Sequence, residues 1–303
     1  MNVANSEFTK TNLTPCGEME IFMRLRLITA IIALIVFIPL VIFSGTWIFP
    51  VAMGICTAIA IFELIRCVGQ KKNFFLTIPL CALGLFFPIY VRLSAGTENI
   101  IPVGLAAILL VSLYVFSVAV FGNKILNITD AGLILAVSVY VTAGFSSAVY
   151  IRDLNNGVYL LYLPFVSGWI TDTFAYFSGR LFGKHKLIPA VSPKKTVEGA
   201  IGGTIFGAAS IVLFAFIVAE LIDGEGGIEA NYLAFAILGV IIPVISQIGD
   251  LIMSVIKRHY NIKDYGKFFP GHGGMLDRFD SSIALAIVMA IACTYFEFFT
   301  NVA

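Results

Sequence analysis

Long runs of Leu, Ile, Val and Phe, broken by short polar connectors, repeat along almost the whole chain. A helix rising 1.5 Å per residue needs roughly 20 apolar residues to cross the hydrocarbon core of a bilayer. Nine segments qualify: 25–44, 47–65, 74–93, 100–121, 128–150, 158–180, 197–222, 232–255 and 281–299. The pattern predicts an all-α polytopic membrane protein of about nine transmembrane helices, because a helix satisfies its own backbone hydrogen bonds where no water is available. A polar tail at 1–22, front helices at 23–155 and back helices at 156–303 with catalytic cytoplasmic loops make up the expected organisation.

Composition agrees: 59% of residues are hydrophobic and 12% charged, against about a quarter charged in a soluble domain. The net charge of +1 says little, because its distribution carries the information. With the N-terminus inside, all but Arg92 and Arg152 of the 19 basic residues fall on the cytoplasmic side, as retention of Lys and Arg requires. An even number of spans would spoil this alternation, so the C-terminus is expected outside. The first span has no small-residue cleavage site after it and reads as an anchor; no transit peptide is visible, which favours a bacterial cytoplasmic membrane. The five cysteines form no CxxC pair, so neither a disulfide framework nor a zinc site is expected.

The front half is uniformly apolar apart from Glu63 and Asp130, which lie near span ends and are expected to reach the interface and be solvated there. The back half differs. Asp172, between Thr171 and Thr173, stands about eight residues or ~12 Å from the cytoplasmic end of its span. A carboxylate at that depth must face protein, ion or water. Glycines at 179, 199, 202, 203, 207 and 239 point to close helix approach. The next loop, RLFGKHKLIPAVSPKKTVEG, clusters its cations in GKHK and SPKKT. Ser192-Pro193 opens a turn there, and Thr196 can cap the following helix. Such a loop suits phosphate oxygens, or it serves topology and anionic headgroups alone; the spacing of a P-loop is absent. Asp250 lies about seven residues or ~10 Å from Lys257-Arg258, at a depth matching Asp172.

Residues 247–280 concentrate charge as no other stretch does. Asp277 and Asp280, three apart, share a helix face. With Asp250 they offer the oxygen ligands that Mg²⁺ takes, water and phosphate completing the octahedron. Lys257, Arg258, Lys263 and Arg278 supply cations, so the stretch suits a metal-nucleotide. The glycines of Pro270-Gly271-His272-Gly273-Gly274 would let backbone N–H groups approach phosphate. His259 and His272 are either ligands or acid–base groups, or hydrogen-bonding loop residues. No serine or cysteine nucleophile with a base partner is evident, and phosphoryl or nucleotidyl transfer requires none.

Ser254-Val255-Ile256-Lys257-Arg258, Lys263-Asp264 and Phe269-Pro270-Gly271-His272-Gly273-Gly274-Met275-Leu276-Asp277-Arg278-Phe279-Asp280 resemble the signature of the phosphatidate cytidylyltransferase (CDP-diacylglycerol synthase) family. Trp169-Ile170-Thr171-Asp172-Thr173, Ala175-Tyr176, Gly179-Arg180 and Ser192-Pro193-Lys194-Lys195-Thr196-Val197-Glu198-Gly199 are similar to further blocks of that family. The resemblance implies CMP transfer from CTP to phosphatidic acid with Mg²⁺, giving CDP-diacylglycerol and pyrophosphate, by a homodimer whose polar cavity opens to the cytoplasm. It implies Asp250 and Asp277 as metal-site residues and Asp280 as a further essential acid. Lys257 is the catalytic cation; Ser192, Lys194, Lys195, Thr196, Arg258, Lys263, His272, Arg278 and Asp172 are the expected substrate contacts. Membrane lipids are expected partners and nucleic acid is not. The rivals are a CTP-dependent polyprenol or phytol kinase, and a secondary transporter, for which inverted repeats are missing.

Overall fold

The structure, a computed structural model, describes residues 28, 29, 31–33, 35–122, 126–222 and 227–301. The tail at 1–22, the cations Lys10, Arg24, Arg26 and Lys124, and most of the acidic 223–229 turn lie outside the described residues. The helices are α1 (Ile31–Ile42), α2 (Ile48–Cys67), α3 (Phe74–Leu93), α4 (Ile100–Phe121), α5 (Ile128–Arg152), α6 (Gly157–Phe182), α7 (Val197–Phe216), α8 (Tyr232–His259) and α9 (Leu276–Tyr295). A π-helical stretch, Ile217–Ile222, continues α7. Two short antiparallel pairs interrupt the helical pattern: β1 (Lys186–Ile188) with β2 (Ser192–Thr196), and β3 (Ile228–Ala230) with β4 (Phe299–Asn301). The basic SPKKT segment is therefore one arm of a hairpin and not an open loop.

Six helices, α2, α3, α4, α5, α7 with its π-helical extension, and α8, are long and apolar enough to cross a membrane. Their outward faces are apolar, as at Leu109, Leu113 and Leu233, which is where an integral membrane protein meets lipid. Helices α6 and α9 fall outside that set, their apolarity diluted by Asp172, Arg180, Asp277, Arg278 and Asp280. Helix α9 also starts five residues before the expected 281, so Asp277 stands in its first turn. There the partial positive charge of the helix N-terminus favours an acid. It stops at Tyr295 because Phe299–Asn301 turns extended to pair with β3. Helix α8, at 28 residues, spans about 42 Å. Its final turn, with Lys257, Arg258 and His259, thus clears a hydrocarbon layer of ~30 Å.

Contacts sort the helix ends into two groups. At one end Arg92 pairs with Asp153 at 2.6 Å and donates to Ser44 O at 3.0 Å, while Arg152 donates to Ser44 Oγ at 2.7 Å. Asn156, Asn231 and the β3–β4 pair lie there too. At the other end Thr29, Glu63, Arg66, Asp130 and the β1–β2 hairpin gather around the 260–280 segment. One core cluster, including Leu64, Val141, Met253, Tyr265, Leu276 and Ile283, joins α2 and α5 to α8 and α9 beneath that segment. A cavity of about 590 Å³ opens between α3, α4, α5 and α9 toward the Arg92 end and is almost wholly apolar.

Helix α6 meets α7 along a glycine stripe. A Cβ at Gly203 would lie 2.8 Å from Thr171 O and 2.9 Å from Ala175 Cβ, so only glycine allows this approach. Gly203→Val should destabilise the detergent-solubilised protein by about 1–3 kcal/mol of overpacking, read as a lower thermal midpoint. Gly132→Ala in α5, where a Cβ meets nothing within 4 Å, should leave that midpoint unchanged or raise it slightly.

Candidate active site

The segment between α8 and α9 is shaped by its own backbone. Asn261 takes a left-handed conformation (φ 53°) and reverses the chain, with Ile262 N–H returning to Lys257 O at 2.9 Å. Tyr265, 1% exposed, plugs the core and donates its hydroxyl to Met253 O at 3.0 Å. Burial pushes this phenol well above its ordinary range, so it stays protonated and able to donate. Phe269 and Gly273 then bridge across a tight turn in which Gly271 and Gly273 have φ of 76° and 88°. Such angles are open to glycine and strained for most other residues.

Asp277 closes this turn. Its Oδ2 accepts from Tyr265 N–H at 2.7 Å and Gly274 N–H at 2.9 Å. Its Oδ1 accepts from Lys257 Nζ at 2.8 Å, with the lysine and aspartate side chains 12% and 3% exposed. Lys257 also stands 5.6 Å from the centre of the Tyr265 ring, a favourable place for a cation. An ion pair this buried gains little over an apolar pair, but removing one partner leaves a charge that nothing answers.

The second part of the site lies between α6, α8, α9 and the hairpin. Thr196 Oγ1 accepts from Gly199 N–H at 3.1 Å and so ends β2 and starts α7. Glu198 grips His185 at the foot of β1, 2.7 Å from its Nδ1. Held in this way, the hairpin turns Lys195 inward to pair with Asp250, whereas Lys194 is exposed. Asp250 and Asp280 face one another within hydrogen-bonding reach, and Asp172 lies within electrostatic reach of Asp250 and Lys195. Three carboxylates around one ammonium leave an anionic surplus that calls for a proton or another cation.

The three acids expected to share a metal do not converge as one set. Asp250 and Asp280 meet; Asp277 turns to Lys257 and to backbone N–H groups. Among the described residues no three His, Cys, Asp or Glu side chains form a metal cage. The Asp250–Asp280 pair still fits a hard divalent ion, since its oxygens are the right donors and their mutual repulsion is what a cation relieves. Of the remaining expected contacts, Ser192 is half-buried in β2, and Lys263 and Arg278 are exposed. Arg258 Nε reaches Val191 O at 3.4 Å, tying α8 to the hairpin. His272 is half-buried in the turn, its N–H donating to Phe269 O at 2.9 Å.

The front helices contribute what their sequence concealed. Glu63, expected to be solvated, is 4% exposed and accepts from Leu276 N–H at 3.0 Å. Arg66 donates to Tyr265 O at 2.6 Å. Asp130 accepts from the Tyr260 hydroxyl at 2.6 Å and is half-buried. Thr29 donates to Pro270 O at 2.9 Å. The N–H of Gly274, in the segment expected to approach phosphate, thus already faces the Asp277 carboxylate. A lone acid one helical turn before an arginine in an apolar helix was the available signal.

Lys257→Met should destabilise the purified protein by about 3–5 kcal/mol, because Asp277 keeps a buried charge with no counter-charge. Gly273→Ala should fail in the same thermal assay, since a Cβ at φ 88° would also sit 2.8 Å from Asp277 Oδ2. Native-like midpoints in both variants would contradict the closure described.

Residues 24–296 match the model of the cytidylyltransferase family. A phosphatidate cytidylyltransferase of Staphylococcus saprophyticus is 37% identical over 263 residues, covering 86% of this chain and 94% of its own. That of Staphylococcus haemolyticus is 35% identical over 261 residues with the same coverage, and that of Staphylococcus aureus strain COL is 35% identical over 263 residues. A match of this extent, over a chain that brings Asp250, Asp277, Asp280, Lys195 and Lys257 to one end of the bundle, has one reading: the chain belongs to the cytidylyltransferase family.

Proposed function

We propose that the chain is a phosphatidate cytidylyltransferase, moving CMP from CTP to phosphatidic acid. The carrying observation is the anionic surplus of Asp172, Asp250 and Asp280 beside Lys195 and the buried Lys257, in a chain whose relatives bear that name. A phosphate oxygen of phosphatidate bonds to the α-phosphorus of CTP while the bond from that phosphorus to the β-bridging oxygen breaks. Pyrophosphate leaves with the electron pair. The attacking oxygen belongs to the lipid, so no protein nucleophile is required.

Asp250 and Asp280 are the residues that would hold Mg²⁺, with Asp277 as a further candidate oxygen donor. Bound there, Mg²⁺ supplies charge neutralisation of the triphosphate. Lys195 and Lys257, each now answering one carboxylate, can exchange it for phosphate oxygen. Ser192 and Lys194 extend the hairpin's clamp, and Thr196 holds the hairpin in place. Arg258, Lys263, His272 and Arg278 surround the same mouth and bind the remaining phosphate oxygens. Asp172, within electrostatic reach of Asp250 and Lys195, lines the same pocket as a substrate contact.

The segregation of cations supports the expected topology: about nine spans, the N-terminus and the site on the cytoplasmic side of a bacterial inner membrane, and the C-terminus outside. Arg92 and Arg152, the cations assigned to the outer face, both lie at the end opposite Lys257. A homodimer is part of this reading. Purified protein given CTP, phosphatidate and Mg²⁺ should release pyrophosphate, and chelation by EDTA should abolish the release. Asp250→Asn and Asp280→Asn should each lower kcat by about 100-fold or more. Release of CDP instead of pyrophosphate would assign a lipid kinase, and full activity in both variants would remove the metal assignment.

A further inference from the structure

We infer that Glu63 is a positioning residue for the reaction: from α2 it sets the start of α9, and through it Asp277 and Asp280. Helix α9 has no capping side chain of its own, because its N-cap residue Met275 is apolar and helical in conformation. The first N–H groups of any helix lack intrahelical acceptors. Here Met275 and Leu276, 4% and 0% exposed, are shut off from water. Glu63 accepts from Leu276 N–H at 3.0 Å from 213 residues away in sequence and lies close to Met275 N–H, with its charge at the positive end of the helix dipole.

The surroundings are shaped to this carboxylate. A Cβ at Gly274 or Gly266 would overlap its oxygens, so the turn admits Glu63 only while both positions stay glycine. One turn further along α2, Arg66 holds Tyr265 O at 2.6 Å. Helix α2 thus brackets the turn on both sides of Pro270, and its own placement is fixed by the core of Leu64, Met253 and Leu276. Asp277 follows Leu276 directly and Asp280 comes one turn later. A slip of one residue at the start of α9 would therefore move Asp280 by about 1.5 Å against Asp250.

This inference rests on the cytidylyl-transfer reading for its kinetic test, and hydrogen exchange tests the clamp separately. Glu63→Gln keeps an acceptor oxygen at full reach, whereas Glu63→Asp keeps the charge and falls one methylene short. With full-length protein in detergent, kcat should fall in the order Gln, Asp, Ala, reaching a loss of about 10- to 100-fold for Ala, while KM for CTP changes much less. Exchange at the amides of Met275 and Leu276 should quicken in the Asp and Ala variants while the middle of α8 stays protected. Gly274→Ala, which displaces the same carboxylate from the other side, should reproduce the Ala result even if Glu63→Ala does not fold. Retention of more activity by Asp than by Gln would overturn the clamp in favour of charge alone. Quickened exchange with unchanged kcat would leave Glu63 a structural residue only. Wild-type protein unable to use CTP would sink the reaction, with the exchange data still judging the clamp.

Discussion

Asp277 has a side chain only 3% exposed in a chain built largely of hydrocarbon-facing helices, so its charge must be answered inside the protein. Lys257 answers one oxygen; the N–H groups of Tyr265 and Gly274 answer the other. Those three bonds fold the segment between α8 and α9 back on itself and fix the direction in which α9 starts. Asp280 inherits its place from that start, and Asp250 from the α8 turn that precedes Lys257. The hairpin then brings Lys195 against Asp250. Remove the Asp277 closure and the start of α9, with Asp280 on it, loses its reference.

Much of this was legible in the sequence because it rests on local spacing. The helical segments follow from apolar runs, and the depth of Asp172 and Asp250 from counting residues along a helix. The grouping of Asp250, Asp280 and Lys195 follows from matching helix depths only once the hairpin is folded inward. Other features depended on contacts that spacing does not encode. Glu63 looked like an interfacial acid because its acceptor role is toward a backbone N–H 213 residues away. Asp277 looked like part of a three-acid metal set because helix periodicity places it beside Asp280, while its bonds to Tyr265 and Gly274 come from a turn whose shape needs two glycines at positive φ. The β1–β2 pairing was hidden because short strands in a basic, proline-containing segment carry no alternation worth reading.

The division into an apolar front and a polar back therefore describes composition better than labour. Front helices hold few charges, yet Thr29, Glu63, Arg66 and Asp130 each grip the segment where the chemistry is concentrated. The back half supplies the carboxylates and ammonium groups, and the front half supplies the fixed backbone against which they are aligned.

The most direct test of the central claim is to follow CTP labelled at either the α- or the γ-phosphorus into the lipid fraction of a reaction with purified protein, phosphatidate and Mg²⁺. Cytidylyl transfer predicts α-label in lipid and γ-label wholly in pyrophosphate, with no lipid label when phosphatidate is withheld. Label from the γ position in lipid, or none from the α position, would contradict it.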